Sequence, residues 1–510
     1  MELATLKTER DFIICQIDPR IYGSFVEHMG RVVYGGIFQP EHPSSDLQGF
    51  RQDVLELVKN LDLSVIRYPG GNYTSSYHWE DAIGPIEQRP IRLNLAWKAI
   101  EHNTFGLNEF MQWIKKVGAE PIITLNLGTR GIDDARNMVE YCNFPGGTHW
   151  SELRRKHGVE QPYGVKLWCL GNELDGSWQL AAKTADEYGR LANETAKAIK
   201  WIDPSIETIA VGSSTPRMNS FPEWDRKVLM ECYDNVDYLS LHNYINRMQE
   251  ENLATPNGRE PDDIATYLSR SLSFDRQIEQ VISTCDFVAA VKRSNKKMYL
   301  AFDEWNVHRY SELPYEQWKT ASPIDWCHFT MADTLVFCGM LLSILRHADR
   351  IKIACQSLLI NTISLIMTGE DGAAWVNPIY YPMLQASQYG RGALLYSRMD
   401  CGSYENAVYS NVPYVDHVII HNGNEITIFA LNRAEREIIL SIYLYGFNLE
   451  RLLVHSILVS DNLDDTNTQK TPTRIVPLQD SRKTILDGDA IKSHLPPYSW
   501  NMIRVQLQTT

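Results

Sequence analysis

No stretch of roughly twenty apolar residues occurs along the sequence, so a membrane-crossing helix is not expected. Cysteine is sparse and unpatterned: nine residues scattered from Cys15 to Cys401 form no C-x-x-C pair, and an odd count cannot pair completely within one chain. Cys169 and Cys355 lie in apolar runs and read as small buried hydrophobes of a reducing compartment. A disulfide framework and a zinc site are set aside, and no ligand cluster calls for a metal or cofactor. Basic charge is short as well: 49 Lys and Arg against 63 Asp and Glu give a net charge of −14. That excess repels nucleic acid and anionic membrane surfaces and favours a neutral ligand. The opening MELATLKTERDFIICQIDPR is broken by charges and lacks the apolar centre of a signal peptide, so cytoplasmic residence is expected. No G-x-G-x-x-G follows the first expected strand, and no repeat or low-complexity tract stands out.

What is present is the material of a large folded protein. A hydrophobic content of 44% with 22% charged residues over 510 positions supplies a substantial core and suggests more than one domain. Short apolar or β-branched runs recur at 21–27, 63–68, 121–127, 165–170, 207–212, 237–242, 298–303 and 350–355. Amphipathic helical stretches lie between them, as at 51–60, 107–118, 181–201 and 275–293. Strands buried on both faces and alternating with helices imply parallel βα units, and this number of them predicts an α/β fold closed as a (β/α)8 TIM barrel. Later the texture changes to alternating strands at 417–421, 425–431, 438–444, 453–459 and 499–507, the pattern of a jelly-roll-like β-sandwich. The expected organisation is therefore an N-terminal segment 1–18, a barrel catalytic domain 19–388 and a C-terminal β-sandwich 389–510. Segment 5–18 is expected to add an edge strand to the sandwich.

Barrel enzymes build their sites at the C-terminal ends of the strands. Polar residues gather there: Glu27-His28, Arg67 running into PGGN with Asn72, Asn126, Asn172-Glu173, His242-Asn243-Tyr244 and Asp303-Glu304-Trp305-Asn306. One such end is as readily a solvent-facing accident as a functional residue; a whole ring of them pointing into one mouth reads as a site. Glu173 and Glu304 end strands four and seven, nearly opposite in the ring. Glycoside cleavage needs such a pair, one acid to protonate the leaving oxygen and a second carboxylate to attack the anomeric carbon or activate water. Arg67, His242 and Tyr244 are expected around Glu304, keeping it ionised as a nucleophile; Glu173, beside Asn172 and aromatic neighbours, is expected to stay protonated as general acid. Trp97, Trp178 and Trp305 are candidates for stacking on sugar, against the commoner role of packing. Gly70-Gly71 suits a tight turn that aims Asn72 into the mouth. Asp175 reads as a helix cap in preference to a partner supporting the site residues, and Asp303 as a structural ion-pair residue on the opposite face of its strand from Glu304.

FVEHMGRVVYGGIF, RYPGGNYTSSYHWEDAIGP, NLGTRG, LWCLGNELDGSWQ and AFDEWNV together resemble glycoside hydrolase family 51, the α-L-arabinofuranosidases. The likeness runs from about residue 20 to the final LPPYSWNMIRV. It implies a retaining, exo-acting enzyme on arabinose-containing oligosaccharides, with Glu173 as acid/base and Glu304 as nucleophile. It further implies that Glu27, Asn72, Asn172 and Tyr244 contact the arabinofuranose, that Arg67 and His242 support the catalytic pair, and that the protein is an intracellular homo-oligomer, often a hexamer. One departure concerns Leu358, where relatives usually carry a Gln that reaches the sugar; a leucine there forfeits about 1 kcal/mol of polar contact. The segment after Asn306 also differs. The remaining alternatives are a glycosidase of altered specificity (β-xyloside, galactofuranoside or glucan) and a non-catalytic sugar-binding barrel.

Overall fold

A computed structural model describes residues 2–247, 263–369, 372–487 and 490–508. Eight parallel strands close into a barrel in sequence order: Gly23–Phe25, Val65–Tyr68, Glu120–Thr124, Leu167–Cys169, Glu207–Ala210, Tyr238–Asn246, Tyr299–His308 and Ile351–Gln356. Each overlaps one of the expected runs, with strands six and seven running four and five residues further than expected. They read as near-continuous apolar segments because both faces are covered: every residue of Val65–Tyr68 and of Leu167–Cys169 is buried. The helices around them follow from amphipathic spacing. Leu107–Val117 buries Leu107, Phe110, Met111, Trp113 and Ile114, carries lysines in its last turn and ends at left-handed Gly118. Ala185–Ile202 starts on a capping box between Thr184 and Glu187.

Strands six and seven are the longest of the barrel and continue past its rim as a paired ribbon, with Tyr244 opposite Asn306 and His308 opposite Asn246. Register shifts between Ala301 and Glu304 on one side, and between Phe302 and Trp305 on the other, mark a bulge where strand seven reaches the mouth.

Most of the remaining strands among the described residues join one ten-stranded sheet. Ile426 and Ile428 of Glu425–Asn432 share an apolar core with Leu440 and Ile442 of Ile438–Tyr445, although three strands separate the two in the sheet. The sheet therefore curls over its own core. Burial alternates along Ile438–Tyr445, as expected of strands with one buried face. Glu2–Gln16 lies inside this sheet, antiparallel to Ala393–Asp400 and parallel to Ile438–Tyr445. It is an internal strand, which corrects the edge position expected from sequence: Ala4, Leu6 and Thr8 alternate into the core while both backbone edges are paired, and no alternation in the sequence distinguishes that from an edge. Helix Met331–Arg346 joins the two parts and is buried around its whole circumference, because the sheet covers the side a barrel helix ordinarily shows to water.

Candidate active site

A cavity of about 130 Å³ opens at the C-terminal end of the barrel, lined by Glu27, Asn72, Trp97, Glu173, Tyr244 and Glu304 together with Phe25, Met29, Gly71, His308, Asp325, Ser357, Leu358 and Ile363. A cavity of this size suits a ligand on the scale of one small ring rather than a long stretch of polymer.

Strand four delivers its acid through an abrupt turn. Gly171 has φ +105° and Glu173 itself φ +43°, so the chain leaves extended geometry straight after Cys169. Simple alternation would send Asn172 and Glu173 to opposite faces; the left-handed turn brings both to the mouth. Glu173 receives hydrogen bonds from Trp178 Nε1 (2.6 Å) and from His242 Nδ1 (2.9 Å). Its burial, reinforced by the negative charge of Glu304, raises its pKa above the usual glutamate value despite these donors.

Strand seven delivers Glu304 into a different setting. Arg67 Nη1 donates to one carboxylate oxygen at 2.5 Å and the Tyr244 hydroxyl to the other at 2.8 Å. Arg67 in turn donates through Nη2 to Asn172 Oδ1 at 2.7 Å and lies 3.2 Å from Asp303. Asn172 passes the chain of bonds to Asn72 (3.2 Å) and Gln179 (3.3 Å). The strand-seven bulge explains why Asp303 shares a guanidinium with Glu304 rather than facing away, which corrects the strict-alternation expectation. Burial opposes ionisation of Asp303, but Arg67 and His242 overcome it and hold its pKa at about 2.

His242 sits among three carboxylates, 2.9 Å from Glu173, 3.5 Å from Glu304 and 3.4 Å from Asp303. Burial alone would depress its pKa; Glu304, Asp303 and Glu173 override that and raise it well above the ordinary histidine range, so it is an imidazolium at neutral pH. It lies beside Glu304, as expected, but its hydrogen bond goes to Glu173.

Glu27 is a third buried carboxyl in the cavity. One oxygen accepts from Tyr73 N (2.9 Å) and Trp97 Nε1 (2.8 Å). Burial, with the charge of Glu304, pushes it up to about 8. Gly71 is required beside it: a Cβ there would stand 2.3 Å from the other Glu27 oxygen.

Of the sequence candidates, Glu27, Asn72, Trp97, Glu173, Tyr244 and Glu304 line the cavity, whereas Arg67, His242 and Asn172 are buried against its wall residues. Trp178 is half exposed and reaches the site only through its bond to Glu173. Trp305 is fully buried against Phe337 and is a packing residue. Asp175 is no helix cap; it accepts from the backbone N (3.0 Å) and hydroxyl (2.7 Å) of Ser214 and so ties the strand-four turn to the loop after strand five. Sequence reasoning missed Met29, His308, Asp325 and Ser357. Ser357 bonds the Tyr244 hydroxyl at 2.6 Å. His308 lies four residues beyond Glu304 on one strand face and was findable by that spacing; Asp325 sits in a long loop and carried no such signal.

A closed barrel whose fourth and seventh strands bring two differently held carboxylates to one sugar-sized cavity defines a glycoside hydrolase. More narrowly, the chain belongs to the α-L-arabinofuranosidases of family 51. Residues 57–256 match the α-L-arabinofuranosidase 1 domain, and residues 303–499 the α-L-arabinofuranosidase C-terminal domain. It is 46% identical to the intracellular exo-α-(1→5)-L-arabinofuranosidase 1 of Bacillus subtilis, over all of both chains. It is also 46% identical to the intracellular exo-α-(1→5)-L-arabinofuranosidase of Acetivibrio thermocellus, over 99% of this chain and 100% of that one. Among solved structures, the family 51 α-L-arabinofuranosidase of Bifidobacterium longum superposes with a TM-score of 0.92 at 33% identity, covering 99% of this chain and 100% of that one.

Proposed function

We propose that the protein is a retaining, exo-acting α-L-arabinofuranosidase that releases terminal non-reducing α-L-arabinofuranosyl groups from arabinose-containing oligosaccharides inside the cell. The observation that carries this reading is the closeness of the carboxylates: an oxygen of Glu173, an oxygen of Glu304 and a ring nitrogen of His242 lie within 4.8 Å of one another. Double displacement needs carboxyl groups about 5–5.5 Å apart, whereas inversion needs about 6.5–9.5 Å to seat a water. The sugar-sized cavity supports exo action, and the intracellular, exo-acting names of the two curated relatives agree with it.

Glu304, held between Arg67 and Tyr244, attacks the anomeric carbon while Glu173 gives its proton to the departing oxygen. A β-linked arabinosyl-enzyme results. Glu173, now a carboxylate held by Trp178 and the His242 imidazolium, takes a proton from water, which attacks the same carbon, displaces Glu304 as a carboxylate and restores the α configuration. Glu27 and Asn72 are placed to bond the ring hydroxyls.

Aryl α-L-arabinofuranosides test the assignment, with azide as an external nucleophile. Azide rescue of Glu173→Ala should give α-L-arabinofuranosyl azide, because it intercepts the β-linked intermediate; rescue of Glu304→Ala should give the β azide by one inversion. The reverse pattern would exchange the two roles. Wild-type turnover of a β-xyloside or galactofuranoside in place of the arabinofuranoside would overturn the substrate.

A further inference from the structure

His308 and Asp325 line the cavity and take no part in the chemistry derived above. His308 ends strand seven, on the ribbon that rises beyond the barrel rim, four residues after Glu304. At about 3.3 Å per residue that places it roughly 13 Å further out along the strand than the nucleophile candidate, towards solvent rather than towards the cavity floor. Its ring packs edge-on to Tyr244, with centroids 6.5 Å apart, so it stands directly above the residue that holds Glu304. Asp325 reaches the same place from the loop that follows strand seven. Two backbone-directed bonds from the strand-eight loop pin it there: Ile363 N donates to the Asp325 carbonyl (3.0 Å) and the Thr362 hydroxyl to that of Ile324 (3.1 Å).

The two side chains are engaged with each other only loosely. His308 Nε2 lies 3.4 Å from Asp325 Oδ2, and Asn246 Nδ2 lies 3.4 Å from His308 Nδ1, against 2.5–2.9 Å for the bonds that hold Glu173 and Glu304. An amide nitrogen is a donor only, so Nδ1 accepts and Nε2 carries the proton that faces Asp325. Bonds near 3.4 Å are at the weak end of the range, so the carboxylate retains accepting capacity toward a ligand. Both side chains are about a quarter exposed, at 25% and 28%.

We propose that Asp325 is a specificity-determining contact: its carboxylate accepts a hydrogen bond from a hydroxyl of the sugar that leaves, and His308 is the positioning residue that orients it. The ligand class is therefore a hydroxyl-bearing leaving group, a second sugar unit, rather than an apolar aglycone. This rests on the proposed arabinofuranosidase activity and adds the recognition of the outer sugar.

The test compares an aryl α-L-arabinofuranoside, whose leaving group has no sugar hydroxyl, with an α-linked arabinobiose. Asp325→Ala should leave kcat/KM for the aryl substrate within about twofold and lower it for the disaccharide roughly 10- to 100-fold, chiefly through KM, the scale of one lost hydrogen bond to a charged group. His308→Phe should reproduce the selective loss, and His308→Gln, which keeps a donor, should recover most of it. Equal losses on both substrates would place the pair at the inner ring or in structural support and overturn the proposal, as would equal retention on both. Failure of the unaltered enzyme to hydrolyse either arabinoside would instead overturn the functional reading beneath it.

Discussion

Glu27 shows how one carboxyl can couple the cavity to the stability of the whole protein. Its folded pKa of about 8 lies well above its ordinary value of 4.5, because burial and Glu304 both disfavour its anion. The native state therefore binds a proton that the unfolded state has already released between those two values. Stability from this group is fully present below pH 4.5 and is lost as pH rises through about 8, a few kcal/mol at most. Glu27→Gln keeps an acceptor for Tyr73 and Trp97 and removes that loss. Its melting temperature should match the wild type near pH 5 and exceed it above pH 8, as calorimetry across pH would show; parallel curves would mean that Glu27 stays ionised. The gathering of individual residues around one cavity was mostly legible: Glu173, Glu304, Arg67 and Tyr244 were each marked by a charged or polar group ending an apolar run. The partners of His242 and Asp303 were not, because a sequence records alternation but not the bulge that breaks it.

Among the elements, the turn after strand four carries the most consequence. Gly171 stands at φ +105°, and a Cβ there would meet Leu174 Cδ1 at 2.9 Å. Gly171→Ala should cost about 1–3 kcal/mol of stability in a denaturant titration and lower kcat by about tenfold or more, since Asn172 and Glu173 move with the turn. Unchanged kcat with lost stability would show that the acid is positioned by Trp178 and His242 instead. The barrel strands were legible as elements because parallel strands buried on both faces are continuous apolar runs. Thr484–Asp487 and Ala490–Leu495 escaped notice, since strands near one margin of a sheet carry polar and charged residues between the buried ones. Ala393–Asp400 was hidden differently: its first three residues are buried and the rest alternate towards exposure, a mixture with no single period.

At the scale of the molecule, the barrel is an insertion within the sheet: Glu2–Gln16 precedes it, and the strands that flank Glu2–Gln16 follow it. Deleting residues 2–16 would leave Ala393–Asp400 and Ile438–Tyr445 each with an unpaired backbone edge facing a gap. The truncated protein should form soluble aggregates by size-exclusion chromatography at concentrations where the full chain gives one peak. A single peak with unchanged melting would mean that the sheet closes without its first strand. The two-part architecture was legible from the change in texture near residue 390; the interleaving was not, because no local pattern states which distant strands a segment will join.

That interleaving also sets a schedule for synthesis. The first strand leaves the ribosome early, yet its neighbours at Ala393–Asp400 and Ile438–Tyr445 emerge only after the barrel has been translated. At 5–20 residues per second the wait is on the order of 20–80 s. Over that interval an unpaired strand carrying Phe12, Ile13 and Ile14, which stay partly exposed even in the folded sheet, trails from a barrel still being made. The charges that interrupt it, Lys7, Glu9, Arg10 and Asp11, oppose the pairing of such a segment with another nascent copy while it waits.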